Sequence, residues 1–395
     1  MFDLDLAAVF ADPDPCAALA AERARGWIAR SEAGVHVLGF EQAYELLRDP
    51  RFHPDVVATI DGAGLTDPTV RAMWMTALLG SAPADHDRLR RLVAPYFTRR
   101  AISSLRDYVA ELTTRLATPL GGTHADVAEA LAAPIPPAVF TRMIGAPESD
   151  APKIGDWSAT ILQIFARQPE LAPQITSAVH ELLHYVDGFI EDRRRSPGGD
   201  DMITALLAAE DDGDRLSTHE LRALVLEALE ASTDNTSSAL ATLLYAGAQH
   251  PDEWQALRED PSRIPAFAEE AARLWPRVVH ISRSATQDVE WRGRQFPAGT
   301  ELLVSVPSTL RDPAAFPDPE RFDPRRDSPS SHNLNFGSGG HHCIGAALAR
   351  MELTTALEVL TRLWERIELD GDPVIDANVG VVTLRSLPLR ITAAA

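Results

Sequence analysis

"FGSGGHHCIGAALAR", residues 336–350, is the stretch on which the reading of this chain turns. Gly337, Gly339, Gly340 and Gly345 surround Cys343, and a helix-like run begins directly behind it. Glycines let backbone take up positive φ and approach a flat ligand closely. A helix N-terminus behind a cysteine lowers its thiol pKa and favours the thiolate. A thiolate presented in this way is a good ligand for haem iron. On spacing alone, a buried cysteine in a glycine-rich turn is the plainer alternative.

The rest of the composition narrows the setting. The chain has 395 residues and only two cysteines, Cys16 and Cys343, which is no disulfide framework. Its net charge of -20 argues against wholesale nucleic-acid binding. The start, "MFDLDLAAVFADPDPCAALAAERARG", is acidic and lacks a signal-like apolar core. No run of about 18 apolar residues occurs. These features predict a cytoplasmic protein that binds neither membrane nor nucleic acid. Repeats, low-complexity linkers and clear boundaries are missing, so residues 1–395 are expected to form one domain.

Helical periodicity dominates. It runs through "ADHDRLRRLVAPYF", "ITSAVHELLHYVDGFIEDRRR", "IPAFAEEAARLW" and "AALARMELTTALEVLTRLWERI". "THELRALVLEALEASTDNTSSALATLLYAGAQ" reads as one helix of about 32 residues, roughly 48 Å long. Ser217 or Thr218 caps it, Glu220 lies in its first turn, and Pro251 follows its end. Its middle carries an unbroken polar run, Ser232 to Ser238. "ISRSATQDVEWRGRQFPAGTELLVSV" reads as strands and turns, and "RRRSPGGDD" at 193–201 as a surface loop.

The 336–350 stretch resembles the signature of the cytochrome P450 family, Phe-Gly-x-Gly-x-His-x-Cys-x-Gly. It matches at Phe336, Gly337, Gly339, His341, Cys343 and Gly345. Glu270 and Arg273 resemble the family's Glu-x-x-Arg pair, "AAFPDPERFDP" its meander, and "ADHDRLRRLV" its His-x-x-x-Arg helix. The resemblance implies a mainly α fold with a smaller β region, and haem b between a long distal helix and a proximal Cys loop. It implies Cys343 as the iron's thiolate ligand, with Phe336 and Gly337 shaping the loop. It also implies His86, Arg90, Arg283 and His341 as partners of the haem propionates, and Glu270–Arg273 as a buried structural ion pair.

On the distal side, the family commonly reads Ala-Gly-x-(Asp/Glu)-Thr where this chain has Ala231, Ser232, Thr233, Asp234 and Asn235. Oxygen activation needs two protons delivered to the outer oxygen atom. A hydroxyl can donate while accepting, whereas an amide N–H is too weakly acidic to pass a proton on. Asp234, Asn235, Thr236 and Ser232 are therefore the candidate catalytic residues. Either Asn235 merely reroutes water, or the enzyme does something other than routine hydroxylation, such as cyclisation, coupling or nitrene-like group transfer.

The resemblance further places Met73, Trp74, Ala231, Val279, His280, Val381 and Val382 at the substrate pocket. Residues 62–80, with Met75, would form a mobile loop over it. Glu227 and Glu230 share a helix face with Asp234. They would face a water-filled channel or basic neighbours, or one of them would bind a polar or cationic substrate group. His280 would donate to substrate or be a satisfied core histidine. His342 would tune the iron or pack beside it.

The chain holds no flavin or iron–sulfur module of its own. The resemblance implies a ferredoxin or flavodoxin with its NAD(P)H reductase, docking on Arg88, Arg91, Arg99, Arg100 and Arg350. The expected enzyme is a monomer that tailors a small natural-product intermediate with O2 and external electrons.

Overall fold

The structure is a computed structural model that describes residues 1–211, 214–327, 333–377 and 380–394. Its contacts divide the chain into two compact units. The first comprises Met1–Asp55, Ala241–Cys343 and Ile367–Leu387; the second comprises Val56–Leu240, Ile344–Arg366 and Pro388–Ala395.

The first unit is built on a twisted mixed sheet. Its strands are β1 (Phe2–Asp3), β2 (Ile28–Ser31), β3 (Gly34–Val37), β4 (Phe52–His53), β5 (His280–Ala285) and β6 (Glu301–Ser305). They lie in the order β1-β2-β3-β6-β5-β4. β2 and β3 form a hairpin with Ile28 opposite Val37, and β6 runs parallel to β3 and antiparallel to β5. Alternate side chains of a strand face opposite sides. Val35, Val37, Leu302 and Val304 enter one core, while Ala29 and Leu38 enter another. A small ribbon of β7 (Val374–Ala377) and β8 (Val382–Ser386) lies in the same unit.

The helices that position the candidate residues are α1 (Pro68–Thr76), α2 (Pro83–Val93), α3 (Ala151–Ile161), α4 (Thr218–Ser232), α5 (Asp234–Gln249), α6 (Ile264–Leu274) and α7 (Ala346–Leu363). In the second unit α4 packs against α1, and α7 packs along the helix Arg106–Ala117. α4 opens with a full capping box: Ser217 accepts from the Glu220 N–H, and Glu220 accepts from the Ser217 N–H. Such a cap contributes about 1 kcal/mol.

Several expectations need correction. The segment 218–249 is not one unbroken helix. It breaks at Thr233, whose φ of -85° and ψ of -72° stay right-handed but depart from ideal helix values. The Thr233 hydroxyl donates back to the Leu229 carbonyl at 2.8 Å and also pairs with Ser158 of α3. Back-bonding of this kind bends helices. The backbone ladder resumes at once, since Ser237 N–H donates to the Thr233 carbonyl at 3.0 Å. Residues 62–80 are not all loop, because α1 occupies 68–76 behind a cap by Asp67. Helix α7 stops at Leu363, and "WERI" belongs to the strand Trp364–Leu369. Residues 193–195 close the helix Ala172–Arg195, so the surface loop begins at Ser196.

Candidate active site

In the first unit, the Cys loop is fixed from both ends. The Cys343 N–H donates to the Phe336 carbonyl at 2.8 Å, which closes the loop over the glycines. Gly339 sits at φ +71°, and a Cβ there would lie 2.6 Å from the Leu47 carbonyl oxygen. Only glycine fits. Asn335 Nδ2 donates to the Ala272 carbonyl at 2.7 Å, tying the loop's approach to α6. Within α6, Arg273 grips Glu270 at 2.8 and 2.9 Å, and both are buried. The Asp323 N–H and Arg326 also reach Glu270, and Arg273 donates to the Leu310 carbonyl. The expected ion pair is therefore present as the centre of a wider network.

The loop presents Cys343 at an exposed position, whereas Cys16 is buried. Burial pushes the Cys16 thiol up to about 12, and Arg311 opposes this only in part. Arg283 on β5 is 2 % exposed and donates to the Ser282 carbonyl at 2.8 Å. Among the described residues no carboxylate pairs with it, and burial lowers its pKa to about 10. A buried guanidinium calls for an anionic partner. A soft thiolate donor together with such a cation fits a haem, whose iron takes the sulfur and whose carboxylates take the cation. His341 is half-buried, and its ring contacts His53.

The predicted wall residues of this unit meet one another. Val278 bridges to Val381, Val279 N–H donates to the Gly380 carbonyl at 2.9 Å, and Val382 N–H donates to the Arg277 carbonyl at 2.7 Å. His280 lies beside them, with Nε2 3.0 Å from Nδ1 of His36, and His36 Nε2 is 2.7 Å from Ser31 Oγ. Burial, and secondarily His280, pushes His36 down to about 3, so it stays neutral. His280 thus has a core partner. His342 is exposed.

In the second unit, His86 is buried on α2 with Nδ1 3.0 Å from Asp87 Oδ1, and Arg90 lies one turn on. Arg88 pairs with Asp214 and Glu220, so its charge is already matched locally. Along α4 and α5, Ala231 is exposed, and Ser232, Asp234 and Asn235 are half-buried. Thr236 is buried. Asn235 Nδ2 donates to the Ala231 carbonyl at 3.3 Å. Ser158, which holds the Thr233 hydroxyl, gave no signal in the sequence.

The two glutamates have partners of a kind the sequence did not suggest. Glu227 accepts from the Leu78 and Leu79 N–H groups, each at 2.8 Å. Glu230 accepts from Trp74 Nε1 at 3.1 Å. Met73 and Trp74 are buried, while Met75 is exposed rather than part of a wall. The acids therefore fasten α1 and the turn after it to α4. Glu230 Oε1 is buried without a hydrogen-bond partner. Burial raises Glu227 to about 7 against the pull of the two N–H groups and Arg90. Burial raises Glu230 to about 8, and neighbouring Glu227 adds to it.

The pH consequence has a definite sign. An unfolded glutamate ionises near its ordinary value of about 4.3, below both folded values. The folded state therefore holds protons that the unfolded state has lost, and stability falls as pH rises from there through 7 to 8. Glu230→Gln keeps an oxygen for the indole N–H and abolishes the ionisation. It should stabilise the protein by about 1–3 kcal/mol at pH 8.5 and flatten the pH dependence. Glu227→Gln sets an NH2 against a backbone N–H and should cost about 1–3 kcal/mol. Thermal unfolding of both variants at pH 5.5 and 8.5 tests this; the same sign for both at pH 8.5 would refute it.

The family described as Cytochrome P450 matches residues 159–392. The chain is 35% identical to the Cytochrome P450 monooxygenase PikC of Streptomyces venezuelae, over 90% of this chain and 84% of that protein. It is 36% identical to the Nocardicin C N-oxygenase of Nocardia uniformis subsp. tsuyamanensis, over 72% of this chain and 71% of the relative. The solved structure of epothilone D-bound cytochrome P450epoK superposes with a TM-score of 0.90 at 28% identity and covers 100% of both chains. With its Cys loop, its buried Glu270–Arg273 pair and these relatives, the chain belongs to the cytochrome P450 family.

Proposed function

We propose that this chain is a haem-thiolate monooxygenase that tailors a small natural-product intermediate. The observation that carries the reading is the exposed Cys343 on a glycine-fixed loop, in a unit that also buries Arg283 with no carboxylate paired to it among the described residues. Cys343 would hold the iron, Arg283 and His341 would offer the propionates a cation and an imidazole from the same unit, and His86 and Arg90 are the candidates for that role in the other unit. When bound, haem supplies the oxygen chemistry, and the protein supplies positioning and exclusion of water. Asp234, Ser232 and Thr236 handle water and protons. Met73, Val279, Val381 and Val382 give apolar contact. Trp74 and Glu230 shape the pocket by fastening α1 to α4, as Glu227 does for the turn that follows.

The reading has a direct test. The reduced protein with CO should show the red-shifted Soret band of a thiolate ligand. Turnover with a substrate found by spectral-shift screening should place labelled oxygen from O2 in the product. A second reading, non-hydroxylating chemistry, is favoured by Asn235, whose amide donates to the Ala231 carbonyl of α4 across the break. An unlabelled product with unchanged oxygen consumption would select it.

Asn235→Thr restores a hydroxyl. It should raise product formed per NAD(P)H about fivefold, the equivalent of one hydrogen bond near 1 kcal/mol. Equal coupling in both proteins would remove any mechanistic weight from this position. The redox partner, a ferredoxin or flavodoxin with its reductase, would dock on Arg91, Arg99, Arg100 and Arg350, with Arg88 left out because Asp214 and Glu220 match its charge. Arg91→Glu should slow partner-driven reduction about tenfold at low salt, and the difference should shrink at high salt. Stopped-flow reduction at two ionic strengths measures it, and an effect independent of salt would reject the patch.

A further inference from the structure

Thr233, at the break between α4 and α5, is held by hydroxyls on both of its sides. The Leu229 carbonyl accepts from the Thr233 N–H at 3.2 Å and from its Oγ1 at 2.8 Å. One turn on, the Thr233 carbonyl accepts from the Ser237 N–H and from Ser237 Oγ, each at 3.0 Å. These bonds are local, but a further one is not: Ser158 of α3 pairs with Thr233 Oγ1. Ser158 and Thr233 are each 2 % exposed, so bulk water cannot stand in for either hydroxyl. Helix α3 and the residue before it are anchored in turn to the helix Ala172–Arg195. Trp157 Nε1 donates to Glu181 at 3.1 Å, and the Tyr185 hydroxyl donates to Asp150 at 2.6 Å.

The hydrogens follow from counting. A hydroxyl carries one hydrogen and two acceptor sites. Thr233 gives its hydrogen to the Leu229 carbonyl, so the hydrogen between the two hydroxyls comes from Ser158. The chain runs from the Ser158 hydroxyl to the Thr233 hydroxyl to the Leu229 carbonyl. In a helix threonine divides between two χ1 rotamers, because its hydroxyl can reach back to a carbonyl one turn earlier. A donor standing at Oγ1 holds the rotamer that reaches back, and that bond bends the helix. Asp234 and Asn235 are the next two residues, so the direction in which α5 leaves the bend sets where they lie.

We propose that Ser158 is a positioning residue for the distal chemistry: by donating to Thr233 it fixes the bend that places Asp234 and Asn235. The proposal rests on the reading above that this polar run works at the haem. It names a residue from another helix, 75 positions away in sequence.

The test uses reconstituted holoprotein without substrate, with CO as the probe. The infrared C–O stretching band of the reduced CO complex responds to polar groups beside it. Amide exchange of residues 229–238, followed by mass spectrometry, reports on the bend itself. Ser158→Ala removes the donor, and Thr233→Val removes the acceptor at nearly constant shape. Each should speed exchange of that segment about fivefold, the loss of one hydrogen bond, and displace or split the CO band. Thr233→Ser keeps the hydroxyl and should stay within about twofold of wild type, with the band in place. In a Thr233→Val background, Ser158→Ala should add less than about twofold, because contacts that act through one partner are not additive. Asn235→Thr controls for the haem reading and should move the band. If it does and Ser158→Ala does not, or if Thr233→Ser behaves as Thr233→Val does, the proposal alone is overturned. If neither Asn235→Thr nor Ser158→Ala moves the band, the reading of the polar run falls first and the proposal with it.

Discussion

Arg273→Met should destabilise the protein by about 3–5 kcal/mol, the cost of leaving a buried carboxylate without its cation. Arg273 and Glu270 are 3 % and 5 % exposed at their side chains, so solvent cannot replace the lost partner. Arg273 also donates to the Leu310 and Arg321 carbonyls; the first loses this donor with it, while the Arg321 carbonyl keeps Arg326 Nη2 at 2.8 Å. One compensation exists. Arg326 Nε lies 3.3 and 3.4 Å from the two Glu270 oxygens, which keeps the loss near the lower end of that range. The double variant Glu270→Gln/Arg273→Met should lose less than the sum of the single changes, because it strands no charge. Urea unfolding at pH 7 measures all three proteins. Strict additivity would show that the pair contributes no coupling. The damage should also reach the Cys loop, since the Ala272 carbonyl of the same helix accepts from Asn335. Haem content should therefore fall in the single variant below the urea midpoint.

The helix cap at Ser217 was legible from local chemistry, a Ser-x-x-Glu box, whereas the Cys loop and the buried Glu270–Arg273 pair were legible through the family resemblance, since an i, i+3 spacing alone reads as a surface pair. What was not legible depends on residues distant in sequence. Thr233 looks like any helix residue until Ser158 is placed against its hydroxyl from 75 positions away. Glu227 and Glu230 read as pocket or channel acids, because nothing local shows that backbone N–H groups at 78 and 79 and the indole of Trp74 come to meet them. Arg88 reads as a docking charge until Asp214 and Glu220 stand beside it. His53 belongs to no motif, and its relation to His341 spans 288 positions. In each case tertiary pairing decided what the polar side chain does.

Cys343→Ser should abolish the thiolate CO band and reduce turnover to background. A serine hydroxyl is far too weak an acid to ligate as an anion, and a neutral oxygen donor does not push electron density as a thiolate does. The chain contains a built-in control. Cys16 is 4 % exposed, with its sulfur 4.0 Å from the Pro276 carbonyl, and burial holds its thiol at about 12. At pH 8 only about one Cys16 in ten thousand is a thiolate, four pH units below that value. It can neither ligate nor react at a useful rate. Iodoacetamide at pH 8 should therefore label the haem-free protein once, at Cys343, and peptide mapping should find Cys16 untouched. Reconstitution with haem should protect Cys343 if its sulfur holds the iron. The Ser variant should take no label and should lose haem faster, since the propionate contacts alone remain. Labelling of Cys16 at a comparable rate, or of Cys343 at an unchanged rate in the holoprotein, would contradict the assignment of Cys343 as the iron ligand on which the rest of the site is built.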